Sequence, residues 1–322
     1  MHYLITGGAG FIGSHLGERL LADGHQLTVL DNFDPFYPEA LKRRNLDLLH
    51  AAGDCRFVAG DIRDRALLDR LFGGARFDAV VHLAAKAGVR PSIDDPGAYY
   101  EVNVNGTLQL LEAMRHAGVK RLLFVSSSSV YGNQEKTPFS ETDEVDHPIS
   151  PYAATKRAGE LLAYTWHHLH GFDVACVRFF TVYGPRQRPD LAIRKFAELA
   201  LAGQPIPLYG DGSTRRDYTF VGDIVQGMTN ILALPRWGYE IVNLGNGRPV
   251  SLLEMVRALE KALGRPLEIQ WLDKQPGDVE QTHADISKAA AWCGYRPEVS
   301  LEAGMKRFVD WTLGGSAHSS IS

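Results

Sequence analysis

The chain has 322 residues, 45% of them apolar and 22% charged, with 34 Lys+Arg against 38 Asp+Glu and a formal net charge of −4; this is an ordinary globular balance with no basic footprint for a nucleic acid. Three scattered cysteines, Cys55, Cys176 and Cys293, form neither a disulfide framework nor a Cys-x-x-Cys metal pair, no apolar run reaches the ~18 residues of a membrane span, and no basic stretch precedes the first apolar run. The expectation is a protein of the reducing cytoplasm with no metal, membrane or nucleic-acid partner, long enough for one large domain or two smaller ones.

Short β-rich runs then alternate with amphipathic stretches. A strand is expected at 3–6, a helix at 12–22, and a second strand at 26–30 ending at Asp31. A third strand at 55–59 leads into Gly60-Asp61, followed by a helix at 65–71 and a buried strand at 79–83. A long helix is expected over 103–116, with Val104, Leu108, Leu111 and Ala113 on its apolar side. A strand at 121–126, a helix at 152–169 and a strand at 174–179 complete the series. Such alternation builds an α/β fold, a Rossmann-type doubly wound parallel sheet with helices on both faces.

After Tyr183, glycine and proline punctuate the chain. A helix is expected at 191–201, then short strands and helices to about Trp311. The expected division is a first domain over 1–180, with part of 215–250 returning to it, and a smaller mixed α/β domain over 181–313. The small polar tail 314–322 reads as disordered.

Gly7, Gly10 and Gly13 lie three apart where the first strand meets the first helix. Glycines let the backbone turn tightly and approach a pyrophosphate at the helix N-terminus. On its own such a triplet serves a bare strand–helix turn as readily as a ligand. Asp31 at the end of the second strand favours the ligand: a carboxylate there accepts from both ribose hydroxyls of a dinucleotide and repels a 2′-phosphate. No arginine stands beside it in Asp31-Asn32-Phe33, so NAD is expected rather than NADP.

Tyr152 and Lys156 are four apart on one helical face. A free tyrosine titrates near 10, and an ammonium one turn away favours its phenolate, fitting Tyr152 to act as a base near neutral pH. Ser126-Ser127-Ser128-Ser129 follows a strand at its C-terminal end, where α/β sheets place ligands. Each piece alone is common on helix surfaces and in loops. Their conjunction in order is what points to chemistry.

With these motifs the chain resembles an extended short-chain dehydrogenase/reductase of the nucleotide-sugar epimerase branch. The resemblance covers about residues 1–311. It rests on the glycine loop 7–13, Gly60-Asp61-Ile62, His82-Leu83-Ala84-Ala85, Asn103-Val104-Asn105-Gly106-Thr107, Val130-Tyr131-Gly132, the Tyr152/Lys156 pair and Arg216-Asp217-Tyr218. It implies a tightly held, recycled NAD contacted by Gly7, Gly10, Phe11, Ile12, Gly13, Asp31 and Asn32. Asp61 and Ile62 would hold the adenine. Ala84, Ala85 and Lys86 would line the nicotinamide side, with Asn103, Phe179 and Val182 close by. Tyr152 would be the base, Lys156 would hold the nicotinamide ribose and tune Tyr152, and Ser127 would be the catalytic hydroxyl. Arg216 would pair with the substrate diphosphate.

Sugar-nucleotide 4,6-dehydratases carry Asp-Glu after the catalytic hydroxyl, and UDP-glucuronate decarboxylases carry a Glu there. Ser128 and Ser129 occupy those positions here, which leaves C4 epimerisation through a transient 4-keto sugar. The run from Arg178 to Pro185, with Arg188-Pro189-Asp190, Ala87-Gly88-Val89-Arg90 and Gln275-Pro276-Gly277-Asp278, resembles UDP-glucuronate 4-epimerases. Lys86, Ser127, Ser128, Ser129, Thr181, Arg188, Arg216 and Asp278 would then contact a UDP-sugar, its C6 carboxylate included. A UDP-glucose 4-epimerase is the alternative. A net oxidoreductase would need freely exchanging cofactor, and a non-enzymatic NAD-binding module would have no use for Ser127, Tyr152 and Lys156 together. The resemblance further implies a homodimer.

Overall fold

The structure, a computed structural model, describes residues 1–273 and 280–314. The chain begins with β1 (His2–Thr6), α1 (Phe11–Ala22), β2 (Gln26–Asp31), α2 (Glu39–Ala52), β3 (Cys55–Ala59), α3 (Arg65–Gly73) and β4 (Ala79–His82). Two short helices, α4 (Val89–Asp94) and α5 (Pro96–Tyr100), precede a π-helical turn (Glu101–Gly106) and α6 (Thr107–Ala117). Then come β5 (Arg121–Ser127), a 3₁₀ turn (Ser128–Tyr131), α7 (Pro151–His170) and β6 (Asp173–Phe179). The rest comprises β7 (Thr181–Tyr183), α8 (Ala192–Leu201), β8 (Ile206–Tyr209), β9 (Arg215–Arg216), β10 (Tyr218–Phe220), α9 (Val221–Ala233), β11 (Tyr239–Leu244), β12 (Val250–Ser251), α10 (Leu252–Leu263), β13 (Ile269–Leu272), α11 (Ser287–Cys293) and α12 (Leu301–Leu313).

Seven strands form one sheet in the order β11-β6-β5-β4-β1-β2-β3. Neighbours run parallel, as in the registers Ile5↔Val29, Ile5↔Val81 and Leu123↔Ala175. Leu4, Ile5, Val80, Val81, Leu122, Leu123, Val174 and Val177 are all fully buried, the near-continuous apolar pattern of a sheet covered on both faces. On one face α3 and α6 contribute Leu68, Leu71, Phe72, Leu110, Leu111 and Met114 to a core with Leu4, Val80, Leu122 and Phe124. The chain leaves β1 toward β2 and β3 and resumes on the other side with β4. That reversal opens a crevice beyond the carboxyl ends of β1 and β4, where such sheets bind ligands.

Two departures from the periodicity have physical causes. Helix α2 has no clear apolar stripe, because Lys42 and Asn45 are buried together with Leu46 and Leu49. The single helix expected over 103–116 instead starts as the π turn, and α6 begins at Thr107.

The chain divides into two compact units. The first comprises Met1–Gly132, Glu141–Phe179 and Met228–Asn243; the second comprises Asn133–Ser140, Phe180–Gly227 and the chain from Leu244 onward. The excursion Asn133–Ser140 thus packs with the second unit, where Phe139 bridges Ala284. The second unit is built on two-stranded pairs: β7 with β10, β9 with β12, and β8 with β13.

Candidate active site

Gly7 turns the chain out of β1 with φ +71°, and a Cβ on it would stand 2.8 Å from the Ala84 nitrogen. Only glycine lets the β1 loop and the loop after β4 meet this closely. A Cβ on Gly13 would stand 2.7 Å from the Gly7 carbonyl oxygen, so its bareness lets α1 start directly on the loop. Gly10 is the N-cap of α1 and has no side chain to offer. No acidic residue lies in the first turn. The opening N–H groups of α1, at Phe11, Ile12 and Gly13, therefore lack a side-chain acceptor at the positive end of the helix dipole. That arrangement fits a pyrophosphate. The loop is held from both sides: Asn45 Nδ2 donates to the Ala9 carbonyl at 2.9 Å, and the Ala9 N–H donates to Asp31 Oδ2 at 3.2 Å.

Asp31 is buried and also accepts from the Phe33 N–H at 2.9 Å. Burial pushes its carboxyl above the usual range, while the two N–H donors and the Lys42 charge oppose that rise. A carboxylate with one N–H on each oxygen retains acceptor capacity for a ribose diol. Asp61 is engaged differently. Arg63 grips it with Nε at 2.9 Å and Nη2 at 2.8 Å, and Asn32 Nδ2 donates to it at 2.9 Å. The Arg63 hydrogen bonds hold its carboxyl down at about 2. Ile62 turns its side chain into the core, where Gly106 leaves room for it. Any part it takes in holding an adenine falls to its backbone.

Ala84, Ala85 and Lys86 form the loop after β4. Asn103, expected beside the nicotinamide, is itself buried and clamps this loop. Its Oδ1 accepts from the Lys86 N–H at 2.8 Å, and its Nδ2 donates to the Lys86 carbonyl at 3.0 Å and to Thr155 Oγ1 at 3.0 Å. The π turn that presents Asn103 belongs to a class of helix defect that concentrates at functional sites. Lys86 Nζ stands 3.5 Å from Asp34 Oδ2.

The serine, tyrosine and lysine come together around the end of β5 and the first turns of α7. Ser150 caps α7 by accepting from the Ala153 N–H at 3.1 Å, and Pro151 occupies its first turn. These features fix the helix start, and Tyr152 with it. The Tyr152 ring packs edge-on to Tyr99, with centroids 6.3 Å apart. Lys156, one turn on, is buried and donates from Nζ to the Val125 carbonyl at 2.8 Å. Burial pulls its ammonium down to about 8, with Glu160 pulling the other way. Ser127 closes β5. Its Oγ accepts from the Ser129 N–H at 3.2 Å and donates to Ser129 Oγ at 3.1 Å. Ser128 and Ser129 lie in the 3₁₀ turn, against which α7 packs.

The pairing of Glu160 with Arg178 was not anticipated from the sequence. Arg178 Nε and Nη2 each meet Glu160 at 2.8 Å, and both side chains are fully buried. Ser126 Oγ adds a 2.6 Å donor and Arg157 Nη1 one at 3.1 Å, while the Arg178 guanidinium lies 4.8 Å over the Tyr131 ring. The pair ties α7 to β6 one turn beyond Lys156. The available signal was spacing, since Tyr152, Lys156 and Glu160 recur every four residues on one helical face.

Phe179, at the end of β6, is buried. In the second unit, the Thr181 N–H donates to the Asp217 carbonyl at 3.0 Å, and Val182 accepts from Gln187 Nε2 at 3.1 Å. Arg188 grips Asp190 with Nε at 2.9 Å and Nη2 at 2.7 Å, so its charge is largely compensated within its own loop. Arg216 is half-buried, and its Nη1 donates to the Arg215 carbonyl at 2.9 Å. Beside it Asp217, a motif member given no role of its own from the sequence, is fully buried. It accepts from the N–H groups of Asn246 at 2.6 Å, Gly247 at 2.9 Å and Ala284 at 3.1 Å. Burial raises its pKa against those donors, and the hub fixes the backbone from which Arg216 projects. Asp278 lies outside the described residues. Among the described residues no cluster of His, Cys, Asp and Glu could hold a metal, and no helix is long and apolar enough to cross a membrane.

Known proteins match the chain nearly end to end. Residues 3–245 match the model of the NAD dependent epimerase/dehydratase family. A UDP-glucuronate 4-epimerase of Thermodesulfobacterium geofontis is 44% identical over 312 residues, covering 97% of this chain and 96% of that protein. The crystal structure of a UDP-glucuronic acid 4-epimerase from Bacillus cereus, in complex with UDP-glucuronic acid and NAD, superposes with a TM-score of 0.91 at 36% identity over 98% of this chain and 99% of that one. A UDP-glucose 4-epimerase of Thermotoga maritima with UDP-glucose gives 0.89 at 33% identity, over 98% and 99% of the two chains. With a family model matched over most of its length and a relative 44% identical nearly end to end, the chain belongs to the NAD dependent epimerase/dehydratase family.

Proposed function

We propose that the protein is an NAD-dependent UDP-sugar 4-epimerase whose substrate is UDP-glucuronate, converted reversibly to UDP-galacturonate. The observation that carries the reading is the first two turns of α7, where Tyr152 is followed by a buried Lys156 anchored to β5. Tyr152 takes the proton of the C4 hydroxyl as that carbon is oxidised, and returns it when the carbon is reduced from the other side. Lys156 favours the tyrosinate by its charge, and with one of its three N–H donors on Val125 it keeps others for a ribose. Ser127 holds the reacting oxygen. NAD, seated on the loop 7–13 and Asp31, would accept the C4 hydrogen with its electron pair and give it back to the opposite face. Because nothing is oxidised overall, the cofactor is retained and recycled.

The uronate is favoured over the neutral hexose by the 44% identical relative and by the polar run Ser127-Ser128-Ser129 with Thr181. A 4-keto uronate is a β-keto acid that can lose CO₂. Hydroxyl donors hold the carboxylate without supplying the acid that a dehydratase needs. Arg216 would meet the diphosphate as a planar fork. Arg188, compensated by Asp190, is less suited to the carboxylate than the hydroxyls are. We further propose a cytoplasmic homodimer formed through α6 and α7, where Leu161 and Tyr164 stand 51% and 49% exposed. Sedimentation of the purified protein decides between monomer and dimer.

Purified protein should be given UDP-glucuronate and UDP-glucose side by side and the C4 stereochemistry of the products read. Tyr152→Phe should lower turnover by about 10²–10⁴-fold while bound NAD is retained. Turnover of UDP-glucose alone would remove the uronate. Full activity of Tyr152→Phe would remove Tyr152 as base.

A further inference from the structure

Thr6, His82 and Thr107 are buried polar side chains with no part in the reaction proposed above. Unsatisfied, they would be costly to bury. All three are satisfied, and the Thr107 end sets the direction. The Ala84 N–H donates to Thr6 Oγ1 at 3.3 Å, and Thr6 Oγ1 lies 2.7 Å from His82 Nδ1. At the far side of the ring, His82 Nε2 lies 2.9 Å from Thr107 Oγ1, which donates to the Asn103 carbonyl at 2.6 Å. A carbonyl only accepts, so the one hydroxyl hydrogen of Thr107 is committed to Asn103. Nε2 must therefore carry a hydrogen and donate it to Thr107. With Nε2 carrying the hydrogen of a neutral ring, Nδ1 is bare and Thr6 donates to it. The Thr107 end thus gives the neutral Nε2–H tautomer, and the Thr6 end accommodates it.

At Asn103 the run passes from the backbone carbonyl, through the residue itself, to the side-chain amide, where a second run begins. The Asn103 side chain clamps the Lys86 backbone on both its groups and donates to Thr155 Oγ1, and Thr155 Oγ1 donates to the Tyr152 carbonyl at 2.8 Å. We infer that His82 is a positioning residue: it holds Asn103 in place, and the two hydrogen-bond runs joined through Asn103 fix the Ala84–Lys86 loop and the first turn of α7 bearing Tyr152 relative to each other. The inference rests on the epimerase reading for what is being positioned. Burial, with the Lys156 charge second, holds the His82 imidazolium down at about 3, so the ring stays neutral at any working pH. A cation there would have two donors and would reverse the Thr6 link, leaving the Thr6 hydroxyl hydrogen to find another acceptor. Positioning matters because displacements of about 1 Å cost up to about 10²-fold in rate.

Thr107 lies outside the proposed catalytic and binding machinery, so it can be varied as a probe. Thr107→Val keeps the shape and removes the hydroxyl, and Thr107→Ser keeps the hydroxyl and trims the methyl. In the NAD-loaded enzyme, Thr107→Val should lower kcat by about 10-fold or more, with KM for the UDP-sugar within about 2-fold, and Thr107→Ser should recover to within about 3-fold of the parent. A role in packing alone would affect the serine at least as much as the valine. Equal kcat in Thr107→Val and the parent would overturn the inference, as would equal losses in both variants. ¹⁵N spectra of the full-length parent should show His82 protonated on Nε2 and bare on Nδ1; an Nδ1–H tautomer or a cation would also overturn it. If the parent turns over neither sugar nucleotide, the epimerase reading fails. The tautomer, with amide exchange at Ala84 and Lys86, which should speed up in Thr107→Val, still decides the positioning.

Discussion

Lys156 offers a test in which activity and stability move in opposite directions. Burial lowers its folded-state pKa to about 8 from an ordinary 10.5. Between those values the unfolded chain binds the proton that the folded chain has released, so stability rises with pH across that window. Burying this group costs the folded state about 3 kcal/mol at pH 6, where it stays charged, and about 1 kcal/mol at pH 10, where it has given up its proton, from 1.36 kcal/mol for each pH unit between the two pKa values. Lys156→Met removes that cost and fills a similar volume. It also removes the hydrogen bond to the Val125 carbonyl, a loss of about 1 kcal/mol. The net expectation is a variant about 2 kcal/mol more stable than the parent at pH 6 and level with it near pH 10. It should be almost inactive at both.

Urea unfolding at pH 6, 8 and 10 measures this, with parent and variant brought to the same NAD content, since bound ligand adds stability of its own. The decisive quantity is the change in the difference with pH, in which other titrating groups cancel. A difference that stays flat from pH 6 to 10, or a parent more stable than the variant at pH 6, would refute a buried charge at this position.

Asp31→Asn removes the charge that disfavours a 2′-phosphate; the ratio of NADP to NAD affinity should rise by about 10-fold, and an unchanged ratio in a direct binding titration would mean that Asp31 does not face the ribose. Arg178→Met leaves the Glu160 carboxylate buried with only Ser126 and Arg157, and should cost about 3–5 kcal/mol of unfolding free energy. Adding Glu160→Gln should return part of it; costs that simply add would show the two side chains to be uncoupled.

What the chain reveals in one dimension follows from how each feature is encoded. The sheet strands were readable because both their faces are buried, so Tyr3-Leu4-Ile5 and Ala79-Val80-Val81 are apolar without interruption. Gly7 and Gly13 were readable because each stands where any side chain would strike a backbone atom. Helix α2 escaped, since Lys42 and Asn45 are buried for their polar ends. Lys42 Nζ reaches the Asp34 carbonyl and Asn45 reaches Ala9, and no periodicity rule counts them as core. Asn103 was found as a motif member, but its hydrogen-bond partners, Lys86 and Thr155, lie 17 and 52 residues away, beyond any local pattern.

The same reasoning explains why α7 concentrates so much of the site. Gly159 has no side chain, and a methyl there would run into the Phe124 ring of β5. The helix therefore rides directly on the strand, and that closeness lets Lys156 reach Val125 with Nζ and Glu160 reach Ser126 with a carboxylate oxygen. A charge one turn from Tyr152 must be buried to act on the phenol at low dielectric, and a buried lysine resists staying charged. Glu160 opposes that resistance, and Arg178 in turn keeps Glu160 ionised. Charge is thus handed from Arg178 on β6 through Glu160 to Lys156. Only the last of the three is visible as part of a Tyr–Lys pair, and the other two are what make that pair sustainable in a closed core.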